Sequence, residues 1–395
     1  MISSTLLLVI LCAAPEVSLD DALALALLHN AELKVTRAEV EVAQSSVPLA
    51  HDWDMPKLRV RLNDAENLPA GTFTWNVGLA WRPPNPWEWK HGGDAAEAKL
   101  LEARFALAAS SWRVVKEVRL AWLDVSGAAA HERLARESVL SRGKLLSVLR
   151  RRLEQGGGTQ VEVNLAQLGE TDARQDLLRW QGAGLKAAQS VAWLVGQSVK
   201  PVPATLPDVP PTLPELGALE KRLDVQPKLE ALRAKVRSTE AQHRNLGAKR
   251  LPWPEVQVRF RQRRDDAPIN NDFQVGLTVP LGVTPAPQLD VARAVTVRAQ
   301  AQLDAEKAQL LAELQILFAR AQGLRDRWLT FQQDYLAALE SHRALQSRVM
   351  AEGSLDPTVL LAADRLAIDM EHKRLEVQLD LARTLVELEG VAGPP

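Results

Sequence analysis

The sequence predicts a mainly α fold with a small β part, in which one order of elements occurs twice: helix, β-hairpin, long helix, helix. Three observations carry this. The chain repeats itself at a separation of about 196 residues, each copy contains two short segments of strict apolar/polar alternation, and the long segments between them carry heptads. Asn30-Ala31-Glu32-Leu33 is answered by Gln226-Pro227-Lys228-Leu229, and Pro56-Lys57-Leu58-Arg59-Val60-Arg61-Leu62 by Pro254-Glu255-Val256-Gln257-Val258-Arg259-Phe260. Trp75-Asn76-Val77-Gly78-Leu79 is answered by Phe273-Gln274-Val275-Gly276-Leu277, and Arg152 to Gly157 by Arg348 to Gly353. Gly127 and Gly323, both inside helical runs, keep the offset. The first repeat spans 15–199 and the second 215–395, joined by a Pro-rich linker over 200–214.

In chain order, residues 1–14 read as a short export signal. Leu6 to Leu11 is apolar, and Cys12-Ala13-Ala14 supplies small residues for cleavage. Two readings of Cys12 stand: a lipidated N-terminus after cleavage, or an unmodified leader cysteine. Ser18-Leu19-Asp20-Asp21 is a capping box that opens a helix over about 18–46. Strands follow at about 56–63 and 72–82, where Leu58, Val60 and Leu62 alternate with Arg59 and Arg61. Phe73, Trp75, Val77, Leu79 and Trp81 alternate in the same way. A long helix over about 93–155 is broken by Gly156-Gly157-Gly158-Thr159, and another runs over about 161–195 to Gly196. The second copy gives helices at about 215–247, 289–352 and 358–389, with strands at about 254–262 and 272–281. Leu355-Asp356-Pro357 makes its helix turn. Val115, Val118, Trp122, Val125 and Ala129 sit at strict 3-4 spacing, as do Leu314, Leu317, Ala321, Leu324, Trp328, Phe331 and Tyr335. That spacing predicts coiled-coil packing.

Composition removes several function classes. Net charge is -1, so no global field recommends nucleic acid. Cys12 is the only cysteine, which excludes an internal disulfide and a cysteine-based metal site. No apolar run approaches the length of a transmembrane helix. His131-Glu132 lacks the second His of a zinc-protease helix, and Gly156-Gly157-Gly158-Thr159 follows a helix and has no Lys, so it is not a phosphate loop. Neither an enzymatic activity nor a metal or cofactor is expected.

The strands have the length and alternation of transmembrane β-strands. Four strands cannot close, and open edges are not viable in lipid, so closure needs further copies: two chains give eight strands, three give twelve. Apolar faces would meet lipid, and Arg59, Arg61, Arg259 and Arg261 would line the lumen. Trp53, Trp75, Trp81, Trp87 and Trp89 cluster around the first hairpin and Trp253 beside the second, as expected of a membrane interface. The competing reading is a pair of soluble hairpins packed on helices.

The segment Ser18-Leu19-Asp20-Asp21-Ala22-Leu23-Ala24-Leu25-Ala26-Leu27-Leu28-His29-Asn30 resembles the opening helix of TolC-like outer-membrane efflux proteins. Gly276-Leu277-Thr278-Val279-Pro280-Leu281 is similar to the strand end of that family's second repeat, and the turns at Gly156-Gly157 and Gly353 resemble its helix-hairpin tips. The order of elements matches from about residue 16 to 390. The resemblance implies a homotrimer with a twelve-stranded transmembrane β-barrel in the outer membrane, continued by a periplasmic α-helical barrel. It also implies docking, through tips containing Gly156, Gly157, Gly353 and Leu355, onto a periplasmic adaptor and an inner-membrane pump of RND or ABC type. Where family members often carry Phe-Asp-Gly-Gly-Arg or similar, this chain has Gly282-Val283-Thr284-Pro285-Ala286-Pro287. The connections Asn63 to Ala70 and Arg263 to Asn271 are short, which predicts small external loops.

Three questions stay open at this level. The arginines either form a basic constriction favouring anionic cargo or merely keep a wet lumen solvated, with Asp64, Glu66, Asp265 and Asp266 as partners. The tip glycines either serve docking or simply cap helices. Glu162, Asp356 and Asp364 near the tips are either gating charges or a solvated helix face. The expected function is a passive exit duct. The alternative is a periplasmic coiled-coil adaptor or structural protein without a pore.

Overall fold

The computed structural model describes residues 15–52, 55–62, 73–210, 212–250, 252–264, 270–279, 286–335, 338, 341, 344 and 357–394. The chain divides into two compact units. One comprises residues 1–34, 110–226 and 309–395, and the other 35–109 and 227–308.

The second of these holds a four-stranded antiparallel sheet. Its strands are β2 (Lys57–Leu62), β3 (Phe73–Trp81), β5 (Glu255–Arg264) and β6 (Asn270–Thr278), in the order β2-β3-β5-β6. The two hairpins, one from each repeat, therefore join through β3 and β5, with Trp75 opposite Gln262 and Leu79 opposite Val258. Among the described residues β2 and β6 are left as open edges. Alternating Val, Leu, Phe and Trp with polar or small residues favours this state, because successive side chains leave a strand on opposite faces. The helical segments beside the sheet belong to α2 (Ala31–Leu49), α3 (Pro86–Glu154), α6 (Pro227–Ala248) and α7 (Ala286–Thr330).

The first unit is helical apart from a short parallel ladder between β1 (Glu16–Val17) and β4 (Lys200–Pro201). It contains α1 (Leu19–His29), α4 (Gln160–Val195), α5 (Leu216–Leu223) and α8 (Pro357–Ala392), with portions of α3 and α7. Ser18 caps α1 in a reciprocal capping box with Asp21. Of the second heptad run, Leu314, Leu317, Ala321, Leu324 and Trp328 are buried and Phe331 is half-buried, while the Tyr335 side chain lies outside the described residues; Leu310 extends the buried seam by one turn. The first run is broader. Val118, Trp122 and Val125 are buried, but so are Val114, Ala121, Ser126 and Ala128, so α3 meets neighbours over more than an a/d stripe.

The structure departs from three sequence expectations. The helix expected over 18–46 breaks at Asn30, whose backbone is extended (φ -54°, ψ 132°). Its Oδ1 accepts from the backbone N–H of Glu32 and Leu33 at 2.9 and 3.3 Å, and its Nδ2 donates to the Leu194 carbonyl at 2.8 Å. An Asn side chain that satisfies the next helix's first donors ends one helix and starts another. The helix expected over 215–247 likewise splits into α5 and α6, with Pro227 at the first position of α6, where its missing N–H costs nothing. The helix expected over 289–352 turns π-helical at Phe331–Tyr335.

Candidate functional site

The sheet has two unlike faces. Register puts Leu58, Val60 and Leu62 on the same face as Trp75, Val77, Leu79, Val258, Phe260, Phe273, Val275 and Leu277. Much of this face is bare. Leu58, Val60, Leu62, Phe273, Val275 and Leu277 are each 59–69% exposed, and Leu79 46%. Fully burying such a side chain is worth roughly 1.5–3 kcal/mol, so these seven, about two-thirds exposed, forgo on the order of 7–13 kcal/mol in water. That is comparable to the whole net stability of a domain. The face needs an apolar medium.

The opposite face is polar. Arg59 pairs with Gly78, Gly78 with Arg259, Arg61 with Asn76, and Asn76 with Arg261. All four sequence-selected arginines thus share one face. Between them Thr74, Asn76 and Ala80 of β3 sit in a trough, only 2–7% exposed. Asp272 stands opposite Arg261, an acidic neighbour that the sequence reading did not single out. The foreseen partners Asp64, Glu66, Asp265 and Asp266 lie outside the described residues.

Tryptophans gather where the strands meet their helices. Trp253 donates from Nε1 to the Pro83 carbonyl at 2.6 Å and lies edge-on to Trp87, centroids 6.1 Å apart. Trp89 donates to the His51 carbonyl at 3.2 Å and packs edge-on to the His51 ring. Trp87 and Trp89 are about half exposed. Trp75 lies at the other end of β3, bonded to Gln262 Oε1 at 2.8 Å and against Phe260. Six residues separate Trp75 from Trp81, about 20 Å along a strand. That is close to the height of a lipid-facing band between two aromatic girdles, about 25 Å. Trp53 is outside the described residues.

At the α3–α4 turn, Gly156 has φ +76° and ends α3 in the left-handed conformation that favours glycine. Its N–H bonds the Leu153 carbonyl and that of Gly157 the Arg152 carbonyl, each at 3.0 Å. Arg152 Nε closes the turn onto the Gly157 carbonyl at 2.8 Å. Thr159 and Glu162 form a capping box at the start of α4, so Glu162 is a helix cap. Leu145, Leu146, Leu149, Val163 and Ala166 hold the hairpin together, and buried Arg142 binds the Gly169 carbonyl at 2.8 Å. Val161, Leu165 and Leu168, at i, i+4 and i+7 of α4, are left 44–67% exposed. Asp364 is buried, while Gly353, Leu355 and Asp356 at the second tip, and Cys12, lie outside the described residues.

One cluster has no sequence signal. His131 of α3 and His372 of α8 face each other with their Nδ1 atoms 2.8 Å apart, so one ring donates and the other accepts. Trp180 of α4 stacks on His131 at 4.0 Å between centroids and 8° between planes. Burial, and then the neighbouring His372, Arg179 and Arg383, lower the His131 pKa to about 4. Burial likewise lowers that of His372, against Asp176, Glu376 and Asp369. The two histidines are 241 residues apart and have no counterparts at the repeat offset.

Residues 22–197 match the family of outer membrane efflux proteins. Among curated protein sequences none matches the chain. Solved structures match it over nearly its full length. The outer membrane protein VceC from Vibrio cholerae is 18% identical, with a TM-score of 0.77, covering 95% of this chain and 96% of that one. A membrane protein from Pseudomonas aeruginosa is 20% identical, with a TM-score of 0.78, covering 96% and 91%. The MtrE outer membrane channel of Neisseria gonorrhoeae, in its open state, is 16% identical, with a TM-score of 0.73, covering 95% and 89%. Residues 22–197 thus resemble the outer membrane efflux proteins by sequence, and nearly the whole chain shares the fold of solved outer-membrane channels.

Proposed function

We propose that this protein is the outer-membrane channel component of a tripartite efflux or secretion system, a passive duct closed by three copies of the chain. The observation that carries the reading is the sheet: an exposed apolar face, a polar face bearing four arginines, and two open edge strands. An open edge in lipid leaves backbone groups unsatisfied at several kcal/mol each, so β2 must pair with β6 of another copy. Three chains then supply twelve strands. The apolar face turns to lipid, and Arg59, Arg61, Arg259 and Arg261 turn to the lumen. Transport requires no chemistry of the duct itself, because an inner-membrane pump of RND or ABC type drives it.

The tips at Gly156, Gly157, Gly353 and Leu355 dock a periplasmic adaptor. Support comes from the first tip, where Val161, Leu165 and Leu168 present an apolar stripe at coiled-coil spacing. Heat-modifiable trimers in outer-membrane fractions, with conductance in planar bilayers, are the expected result. Quantitative release as a soluble periplasmic protein on osmotic shock would sink the reading.

A further inference from the structure

The placement of charge on the polar face points to a class of cargo, and this inference rests on the duct reading. The face is organised in rows by strand register. One row is Arg59, Gly78, Arg259 and Gln274, with two arginines and no acid. The next is Arg61, Asn76, Arg261 and Asp272, with two arginines and one acid. On the other side, the row of Lys57, Ala80, Gln257 and Gly276 adds a lysine. The row pairing Glu255 with Thr278 comes last, and there Gln257 Nε2 bonds Glu255 Oε1 at 2.9 Å. Three consecutive rows are therefore net positive over about 14 Å of strand.

Spacing makes these charges act together. Arg59 and Arg259 sit on strands two apart, about 10 Å. That matches the screening length at 0.1 M salt, so their fields overlap. Gly78 lies between them and carries no side chain. A Cβ built there would stand 3.5 Å from the Val258 carbonyl oxygen and 3.9 Å from Arg259 Cβ and Cγ, and the position belongs to a shallow cleft lined by Arg59, Arg61 and Arg259. Guanidinium matches carboxylate and phosphate with paired donors. A wall of one sign against a low-dielectric surround concentrates counter-ions.

We infer that the inner wall of the barrel is a basic belt that favours anionic solutes, those bearing carboxylate, phosphate or sulfonate groups, over cations. In a closed trimer the Arg59 row presents six arginines with no acid. The Arg61 row presents six against three aspartates.

The test uses the full-length protein in neutral phosphatidylcholine bilayers, with reversal potentials measured under a tenfold KCl gradient. The wild type is expected to pass chloride at least about 3-fold better than potassium. Selectivity should fall between 0.1 and 1 M salt as the screening length shrinks from about 10 to about 3 Å. Arg59→Gln with Arg259→Gln should lower the permeability ratio while keeping channels of ordinary conductance. All four arginines changed to glutamine should bring it to about 1 or below. If the multiple variant does not assemble, the wild-type ratio and its salt dependence still decide. Conducting wild-type channels that prefer potassium, or a ratio unmoved by salt and by the glutamine changes, overturn the basic belt and leave the duct standing. A wild type with no conductance overturns the duct, and the belt with it.

Discussion

Gly196 ends α4 with φ +77°, and a Cβ there would meet the His29 carbonyl oxygen at 2.7 Å. Position and conformation both demand glycine. Gly196→Ala is expected to cost about 2 kcal/mol, from the left-handed conformation plus displacement of the α1 C-terminus. A lowered thermal midpoint of the detergent-purified protein checks this. The tip glycines separate in the same way. Gly156→Ala should lose about 1 kcal/mol because φ is positive, whereas Gly157→Ala, where the new Cβ makes an ordinary contact with Arg152, should leave the fold intact. The duplicated pair Gly127 and Gly323 has diverged in role. A Cβ at Gly127 would press to 2.6 Å from Leu379 Cδ2, while one at Gly323 would meet no described atom within 4 Å.

His131 gives a pH dependence with a definite sign. Its folded pKa of about 4 lies below the ordinary 6.5, so the unfolded chain takes up a proton that the folded chain refuses. The stability tied to the neutral ring is complete above about pH 6.5 and is lost progressively down to about pH 4, on the order of 3 kcal/mol in all. His131→Asn should flatten unfolding midpoints across that window. An unchanged slope would show that the ring does not carry the effect.

At the scale of elements, the two faces of the sheet predict opposite responses to charge. Val275→Arg, on the bare apolar face, should cost about 2–4 kcal/mol of barrel stability in lipid. Gln274→Glu, one residue along and opposite Arg259, should leave assembly unchanged. Band-shift assays of folded and unfolded protein after refolding into vesicles distinguish the two. Replacing Val161, Leu165 and Leu168 by serine should leave channels intact and weaken adaptor capture at least tenfold, because those side chains lie outside the hairpin's own core.

The alternation of these strands was legible in the sequence because side-chain direction has a strict period of two. Their union into one sheet was not. Trp75 meets Gln262 across 187 residues, and no local pattern records which edge of one hairpin finds the other. The break at Pro227 had a visible cause, since the residue before proline disfavours helix. The break at Asn30 had a weaker one, since Asn is a capping residue, and its bond to the Leu194 carbonyl of a distant helix, which fixes it, is not written locally.

For the whole molecule, the decisive prediction concerns edges. Cysteine pairs scanned along β2 and β6 in a Cys12→Ser background should cross-link oxidised outer membranes into covalent trimers, visible on non-reducing gels. Dimers alone, or no cross-linked species at any pair, would refute three-chain closure. The sequence by itself determined the duplication, the amphipathic strands, the heptad seams and the resemblance to TolC-like channels. The strands and seams are periodicities within single segments, and the duplication and the resemblance are likenesses between segments that can be read along the chain without folding it. Only the tertiary structure decided the register that sets Arg59 and Arg259 on either side of Gly78, and that His131 meets His372 under Trp180. Those are meetings between segments hundreds of residues apart, set by strand register and helix packing together, and no single stretch of chain encodes either.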